Sequence, residues 1–458
     1  MRTKNHMIDF ITNLFSFIVA LSILVAVHEY GHFWVARKNG VIVERFSIGF
    51  GKALWRRTDK HGTEFVIALI PLGGFVKMLD ERVDDVQPED KDKTFNNKTV
   101  YQRIAIVAAG PMANFIFALF AFYLMFLIGV PSVKPVIGQI APSSIAGQAH
   151  LVEGSEIVSV SGNTTRDWQD VNLALIAEIG SEKIEFKTKS DGSQYVKTYV
   201  LDTTNWHFSP EKTSALASLG ITPFRPKVHN ELAVVVDESP AAIGGLLVGD
   251  KLVAVGDIQT ADWLTFAKEI KLFPEQEVLI TINRNDELLT LPVIPNSIEQ
   301  SGKKVGYIGV APKADAWPKT LLIELSYGPI DAINESAQRT WNLTTLTFSM
   351  IGKLITGDVS VKNLSGPIGI AQGAGSSAEH GFVYFLGFLA LISINLGIIN
   401  LLPLPVLDGG HLLYYVIELF TGKEVPTKVQ EAGFKFGALA LLMLMAIGLF
   451  NDFSRVLG

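Results

Sequence analysis

The chain has 458 residues, 48% of them hydrophobic and only 18% charged, with a mean hydropathy of +0.31. That is more apolar than an ordinary soluble protein of this length and points to a membrane protein. A net charge of −6 without a long basic stripe argues against nucleic acid as a partner, and the absence of cysteine excludes disulfides and thiolate metal sites, which leaves His, Asp and Glu as available ligands.

A helix needs about 20 apolar residues to cross the hydrocarbon core. Four stretches meet that need: residues 8–36, 104–130, 383–402 and 434–450. Asn395 and Asn400 interrupt the third, and Lys435 opens the fourth. Arg2 and Lys4 ahead of an apolar run give the first stretch the outline of a secretory signal peptide. The run lacks a clear small-residue cleavage site and leads straight into His28-Glu29-Tyr30-Gly31-His32, so it is read as a span.

The loop after the first span carries Arg37, Lys38, Arg45, Lys52, Arg56, Arg57 and Lys60, with Lys98 and Arg103 close to the second span. Positive residues favour the cytoplasmic face. Four spans then place both termini and residues 131–380 on the opposite side, although Arg2 and Lys4 pull the other way. Within the loop, residues 64–77 read as two β-rich runs joined at Pro71 to Gly74, a hairpin-like pattern that either offers an edge strand for pairing or is an ordinary surface hairpin.

Residues 131–315 read as water-soluble and contain an internal repeat. Leu151-Val-Glu-Gly154-Ser-Glu-Ile157-Val-Ser-Val160 followed by Asp167-Trp168 matches Leu246-Leu-Val-Gly249-Asp-Lys-Leu252-Val-Ala-Val255 followed by Asp262-Trp263, at a constant offset of 95 residues. Each copy runs from a helix-like stretch through a glycine turn to a β-rich run, an order that resembles PDZ domains. Peptide capture by strand addition and a role as rigid spacer or steric gate are both open. Residues 321–355 have apolar positions at helical spacing but are too polar to span, and are expected along the membrane surface or against the repeats. Ser365-Gly-Pro-Ile-Gly-Ile370 reads as a turn before the third span. The expected organisation is therefore a membrane α-helical protein: residues 1–130 with two spans and the β-hairpin loop, 131–225 and 226–315 as tandem PDZ-like α+β domains, 316–380 as an amphipathic segment, and 381–458 with two further spans.

In a helix, His28 and His32 share a face, and Glu29 sits beside them within reach of an attacking water. An ionisable group in an apolar span is costly and marks function by default. Catalytic zinc takes three protein ligands and leaves one position open. The strongest third candidate in the apolar segments is Asp408, in Leu401-Leu-Pro-Leu-Pro-Val-Leu-Asp408-Gly-Gly-His411, where the prolines break the helix and let the carboxylate swing inward. His411 competes as a ligand and is favoured in a supporting role. Glu418 reads as a solvated charge near the interface. His6, His61, His150, His207, His229 and His380 are scattered without ligand spacing.

His28-Glu29-Tyr-Gly-His32 in a first span, paired with Leu407-Asp408-Gly409 in a later one, resembles the site-2 protease family of intramembrane metalloproteases, and the likeness covers essentially the whole chain. The resemblance implies one Zn2+ per chain held by His28, His32 and Asp408, with Glu29 as general base. It also implies substrate-binding roles for Asn395, Asn400, Pro403 and the Gly73-Gly74 element, and it likens Gly110-Pro111-Met-Ala-Asn114 to the start of the family's second span. Asparagines in a span are otherwise read as helix-packing residues. The implied setting is the bacterial inner membrane with periplasmic PDZ-like domains and termini. The implied substrates are single-span membrane proteins already trimmed by another protease, such as a truncated anti-sigma factor, and signal-peptide remnants, met in the lipid bilayer. A metal transporter would need more polar residues along a path through spans two and four, and a plain scaffold leaves Glu29 unexplained.

Overall fold

The computed structural model describes residues 2–190, 192–193, 195–206, 213–300, 303–357, 359–361 and 364–457, so His207 lies outside the described residues. The chain divides into two compact units, Met1–Ser132 with Glu324–Asp452, and Val133–Ile323 with Phe453–Gly458.

The first unit is built on α1 (Arg2–Lys38) and α2 (Val100–Ile128). Arg37 and Lys38 sit in the last turn of α1, where cations complement the helix dipole. Thr99 and Gln102 form a reciprocal capping box that fixes where α2 begins. Four helices among the described residues are long and apolar enough to cross a membrane, spanning Phe10–Lys38, Val100–Ile128, Phe382–Leu401 and Thr427–Ser454. Their outward faces carry large apolar side chains such as Phe15, Trp34, Ile116, Phe120, Leu439 and Phe450, which only a hydrocarbon surrounding makes favourable.

Between α1 and α2 run two long strands, β1 (Val43–Thr58) and β2 (Glu64–Met78). Here the hairpin expectation is corrected. The two runs within 64–78 do not pair with each other; residues 45–48 of β1 lie between them, opposite Glu64, Phe65, Val66 and Ile67 on one side and Lys77, Val76, Phe75 and Gly74 on the other. The reversing turn is at Asp59 to Thr63, closed by the Asp59 amide donating to the Thr63 carbonyl and by the Asp59 carboxylate accepting from the amides of His61 and Thr63. Phe33, Ala36, Val41, Val43, Phe46 and Ile106 form the core that fastens this sheet to α1 and α2. Phe50, Leu54, Trp55, Leu69 and Ile70 remain exposed on it.

The second unit holds the repeat. Its helices α3 (Ile145–Gln148), α4 (Trp168–Ala177) and α5 (Ala215–Ser218) are followed by α6 (Pro240–Ile243) and α7 (Trp263–Ile270). The starts of α3 and α6, of α4 and α7, of strands Glu156–Val160 and Lys251–Val255, and of strands Lys183–Lys189 and Val278–Arg284 all recur at the same spacing as the sequence repeat. The caps recur too: Ser144 and Ser239 head α3 and α6, and Asp167 and Asp262 head α4 and α7. Each copy closes its own apolar core, one containing Ile157, Leu175 and Phe186, the other Leu252, Phe266 and Ile280.

The chain returns to the first unit through α8 (Pro329–Thr356), α9 (Pro367–Glu379), α10 (Phe382–Leu401), α11 (Asp408–Thr421) and α12 (Thr427–Leu457). Two sequence expectations change here. The amphipathic segment is helix α8 and packs on α2 and α10. The turn expected at Ser365 to Ile370 is confined to the residues before Pro367, after which α9 runs along α1. Asp452, buried near the end of α12, accepts from the free amides of Gly366, Ile368 and Gly369 at 2.9 to 3.0 Å, which caps α9 from a distant helix.

Candidate active site

The site is assembled from both ends of the first unit's sequence. His28 and His32 lie one turn apart on the buried face of α1, and Asp408 opens α11 just past the break at Pro403 and Pro405. The Nε2 atoms of His28 and His32 are 3.2 Å apart, and Asp408 Oδ2 lies 3.1 Å from the first and 3.4 Å from the second. The three ligand-type atoms fall within 4.8 Å of one another. Asp408 Oδ2 is buried and has no hydrogen-bond partner. Two imidazole nitrogens face it without good hydrogen-bond geometry, and a buried carboxylate oxygen so placed is costly unless a cation meets it. Two imidazoles and one carboxylate converging on a point suit zinc, with a fourth position left open.

The outer nitrogens of the imidazoles are met by α2. His32 Nδ1 donates to the Ile106 carbonyl at 2.9 Å, and His28 Nδ1 lies 3.0 Å from the side-chain amide of Asn114. Such outer partners fix ring orientation and tautomer at metal sites. Gly110 leaves room for the His32 ring, since a β-carbon there would collide with Nε2, and Gly31 lets α1 approach the Ala109 backbone of α2.

His28, His32 and Asp408 line a cavity of about 600 Å³ that also takes in Glu29, Gly74, Arg103, His411, Tyr415 and Glu418. Gly74 presses its backbone against α1, since a β-carbon on it would sit 3.0 Å from Glu29 Cγ and 2.7 Å from Val25 Cγ1. The residues 74–78 of β2 thus form one wall of the cavity beside Glu29. Gly73 faces the Phe50 ring and does not line it.

Other expected residues are placed elsewhere. Asn395 Oδ1 accepts from Thr347 Oγ1 of α8 at 3.0 Å, a helix-packing contact. Asn400 is half-buried at the end of α10 and Pro403 is exposed in the break; neither lines the cavity. His411 forms part of the wall but is not among the converging ligand atoms. Glu418 is not a solvated charge: it accepts from Arg103 Nη2 at 2.6 Å, with side-chain exposures of 12% and 8%. Arg103 also lies over the Tyr415 ring and 3.5 Å from Glu424, so α2, α11 and the following loop are tied together at the cavity mouth. Sequence alone marks Arg103 as a flanking cation, Glu418 as a charge near the interface and Asn114 as part of a stretch likened to the family's second span, but not what each of them contacts. Asn114 had a weak signal as a neutral polar residue in an apolar span; the pairing of Arg103 had none, because its partner is 315 residues away.

Helices of membrane-spanning length that bring two histidines, an aspartate and a glutamate to one cavity define a membrane metallopeptidase. The sequence model described as "Peptidase family M50" matches residues 16–444, and the chain belongs to that family. It is 52% identical over 450 residues to "Regulator of sigma-E protease RseP" of Escherichia coli (strain K12) and 51% identical over 450 residues to the protein of that name in Salmonella typhimurium (strain 14028s / SGSC 2262), each alignment covering 98% of this chain and 100% of the relative. A protein of Vibrio cholerae serotype O1 that bears the name "Putative zinc metalloprotease" is 48% identical over 454 residues, with the same coverage.

Proposed function

We propose that this chain is a zinc peptidase that cleaves single-span membrane proteins within the bilayer. The observation that carries the reading is the convergence of His28, His32 and Asp408 in the lining of a cavity that also contains Glu29. Relatives sharing half its residues are named as regulators of sigma-E and as a zinc metalloprotease. Zinc held by the three residues supplies Lewis acidity to the scissile carbonyl and to the attacking water.

The chain's own groups do the rest. Glu29 takes the proton from water and returns it to the leaving amine. A transmembrane helix hydrogen-bonds its own carbonyls, so several residues must unwind and be satisfied elsewhere before attack. Residues 74–78, forming the cavity wall beside Glu29, are suited to pair with that unwound stretch by strand addition. Asn400 and Pro403, next to the break before Asp408, are proposed to help orient it, as are Gly73 and Asn395.

The proposed setting is a bacterial inner membrane, with the basic β1–β2 loop and Asp408 toward the cytoplasm and the repeats and termini in the periplasm. The exposed apolar side chains of the β1–β2 sheet suit a membrane-surface position. The proposed substrates are a pre-trimmed anti-sigma factor and signal-peptide remnants, with the PDZ-like copies admitting or excluding them. The test is cleavage of a single-span substrate by purified protein in detergent or liposomes. Glu29→Gln is expected to bind zinc normally and lose cleavage; retained cleavage contradicts the reading. Removing the repeats is expected to broaden substrate choice, and a folded, zinc-loaded deletion that cuts nothing argues against a filtering role.

A further inference from the structure

Asn114 is fully buried at 0% exposure in the middle of α2, and its backbone carbonyl accepts from Ser393 Oγ of α10 at 2.9 Å, so its position is set by a second helix. Its side-chain Nδ2 is placed 3.0 Å from His28 Nδ1, while its Oδ1 is buried with no partner. On the other side of the same ring, His28 Nε2 faces Asp408 and His32.

These facts conflict with the role of His28 as a ligand. An imidazole that offers the Nε2 lone pair to a cation carries its proton on Nδ1, and that proton needs an acceptor. An amide NH2 facing Nδ1 selects the opposite tautomer, with a proton on Nε2 pointing at the metal position and at the neighbouring imidazole. The oxygen and nitrogen of an asparagine amide exchange places by a half-turn, and their assignment follows from the hydrogen-bond network. His32 illustrates the requirement, since its Nδ1 meets a carbonyl oxygen, that of Ile106.

We infer that Asn114 presents Oδ1 to the Nδ1–H of His28 and is the positioning residue that holds this ligand in its metal-binding tautomer. The two outer acceptors both come from α2 but differ in kind. The acceptor for His32 is backbone and survives any substitution at 106; the acceptor for His28 is a side chain that mutation can remove.

The inference rests on the metal-site reading above, and one titration separates the two. Zinc dissociation constants are measured by chelator competition on the full-length chain in detergent for wild type, Asn114→Ala and Asn114→Asp, with the thermal midpoint of each metal-free protein recorded alongside. Wild type is expected to bind one zinc; failure to bind overturns the metal site itself. Asn114→Ala is expected to bind roughly 10–100-fold more weakly, whereas Asn114→Asp, which keeps an acceptor, stays close to wild type. An Asn114→Ala protein that binds as tightly as wild type overturns the inference, as does an Asn114→Asp protein with weakened zinc binding and an unchanged metal-free midpoint. If the alanine variant does not fold, Asn114→Leu, which also lacks an acceptor, takes its place: weaker zinc binding is expected, and wild-type affinity overturns the inference.

Discussion

His32 reaches Asp408 only because residue 110 carries no side chain. A methyl group at that position would collide with His32 Nε2, so either the ring or the α1–α2 crossing must move. Gly110→Ala is therefore expected to lower bound zinc and cleavage by at least tenfold, read by elemental analysis and by product formation; a fully loaded, active variant contradicts the packing described here. Of the site residues, the two histidines could be read from sequence because helical spacing is local and an apolar flank makes ionisable groups conspicuous. Asp408 could be read because few other carboxylates occur in apolar segments. Asn114 and Gly110 could not, since their importance lies in what α1 brings against them.

At the scale of elements, the buried Arg103–Glu418 pair joins α2 to α11, the helix that carries Asp408. Removing one partner of a buried pair leaves an uncompensated charge and costs about 3–5 kcal/mol. Arg103→Met is expected to show a loss of that order, and Arg103→Met with Glu418→Leu to recover much of it; the measurement is denaturant unfolding in mixed micelles, and a silent Arg103→Met variant would show that the pair is solvated. In the second repeat, burial works to raise the Asp250 carboxyl, but the Arg284 guanidinium and the Leu247 amide more than offset it and hold the group below the usual carboxylate range. Because the folded value is depressed, the pair's contribution is present above the ordinary aspartate range and is lost as pH falls through the folded value. The stability gap between wild type and Asp250→Asn should be widest near neutral pH and close in acid; a gap that is constant with pH argues against the ion pair as its source. The repeat was visible in sequence because its helix, turn and strand signals recur at one offset. The β1–β2 pairing was not, because which run lies beside which is decided by non-local contacts with Phe33 and Ile106 rather than by the Pro71 to Gly74 punctuation. The capping of α9 by Asp452 was hidden for the same reason.

For the whole molecule, the four apolar helices and the basic loop after α1 make orientation a physical prediction rather than a matter of analogy. The chain has no cysteine, so single cysteines report location without background. Lys60→Cys, in the exposed turn after β1, is expected to react with a membrane-impermeant thiol reagent only after the inner membrane is opened. Lys268→Cys, exposed on α7 of the second repeat, is expected to react from the periplasm in cells with a permeabilised outer membrane. The reverse pattern would invert the topology. The four apolar helices were readable from hydropathy alone, whereas the assignment of α8 and α9 to the helical unit emerged only from packing.

The most direct test of the account is zinc stoichiometry by elemental analysis on purified wild type, Asp408→Ala and His411→Ala, with cleavage of a single-span substrate assayed on the same samples. Wild type is expected to hold one zinc and to be fully active, Asp408→Ala to lose both, and His411→Ala to retain zinc. Loss of zinc only in His411→Ala would contradict the ligand set, and an active wild type without metal would contradict the mechanism as a whole.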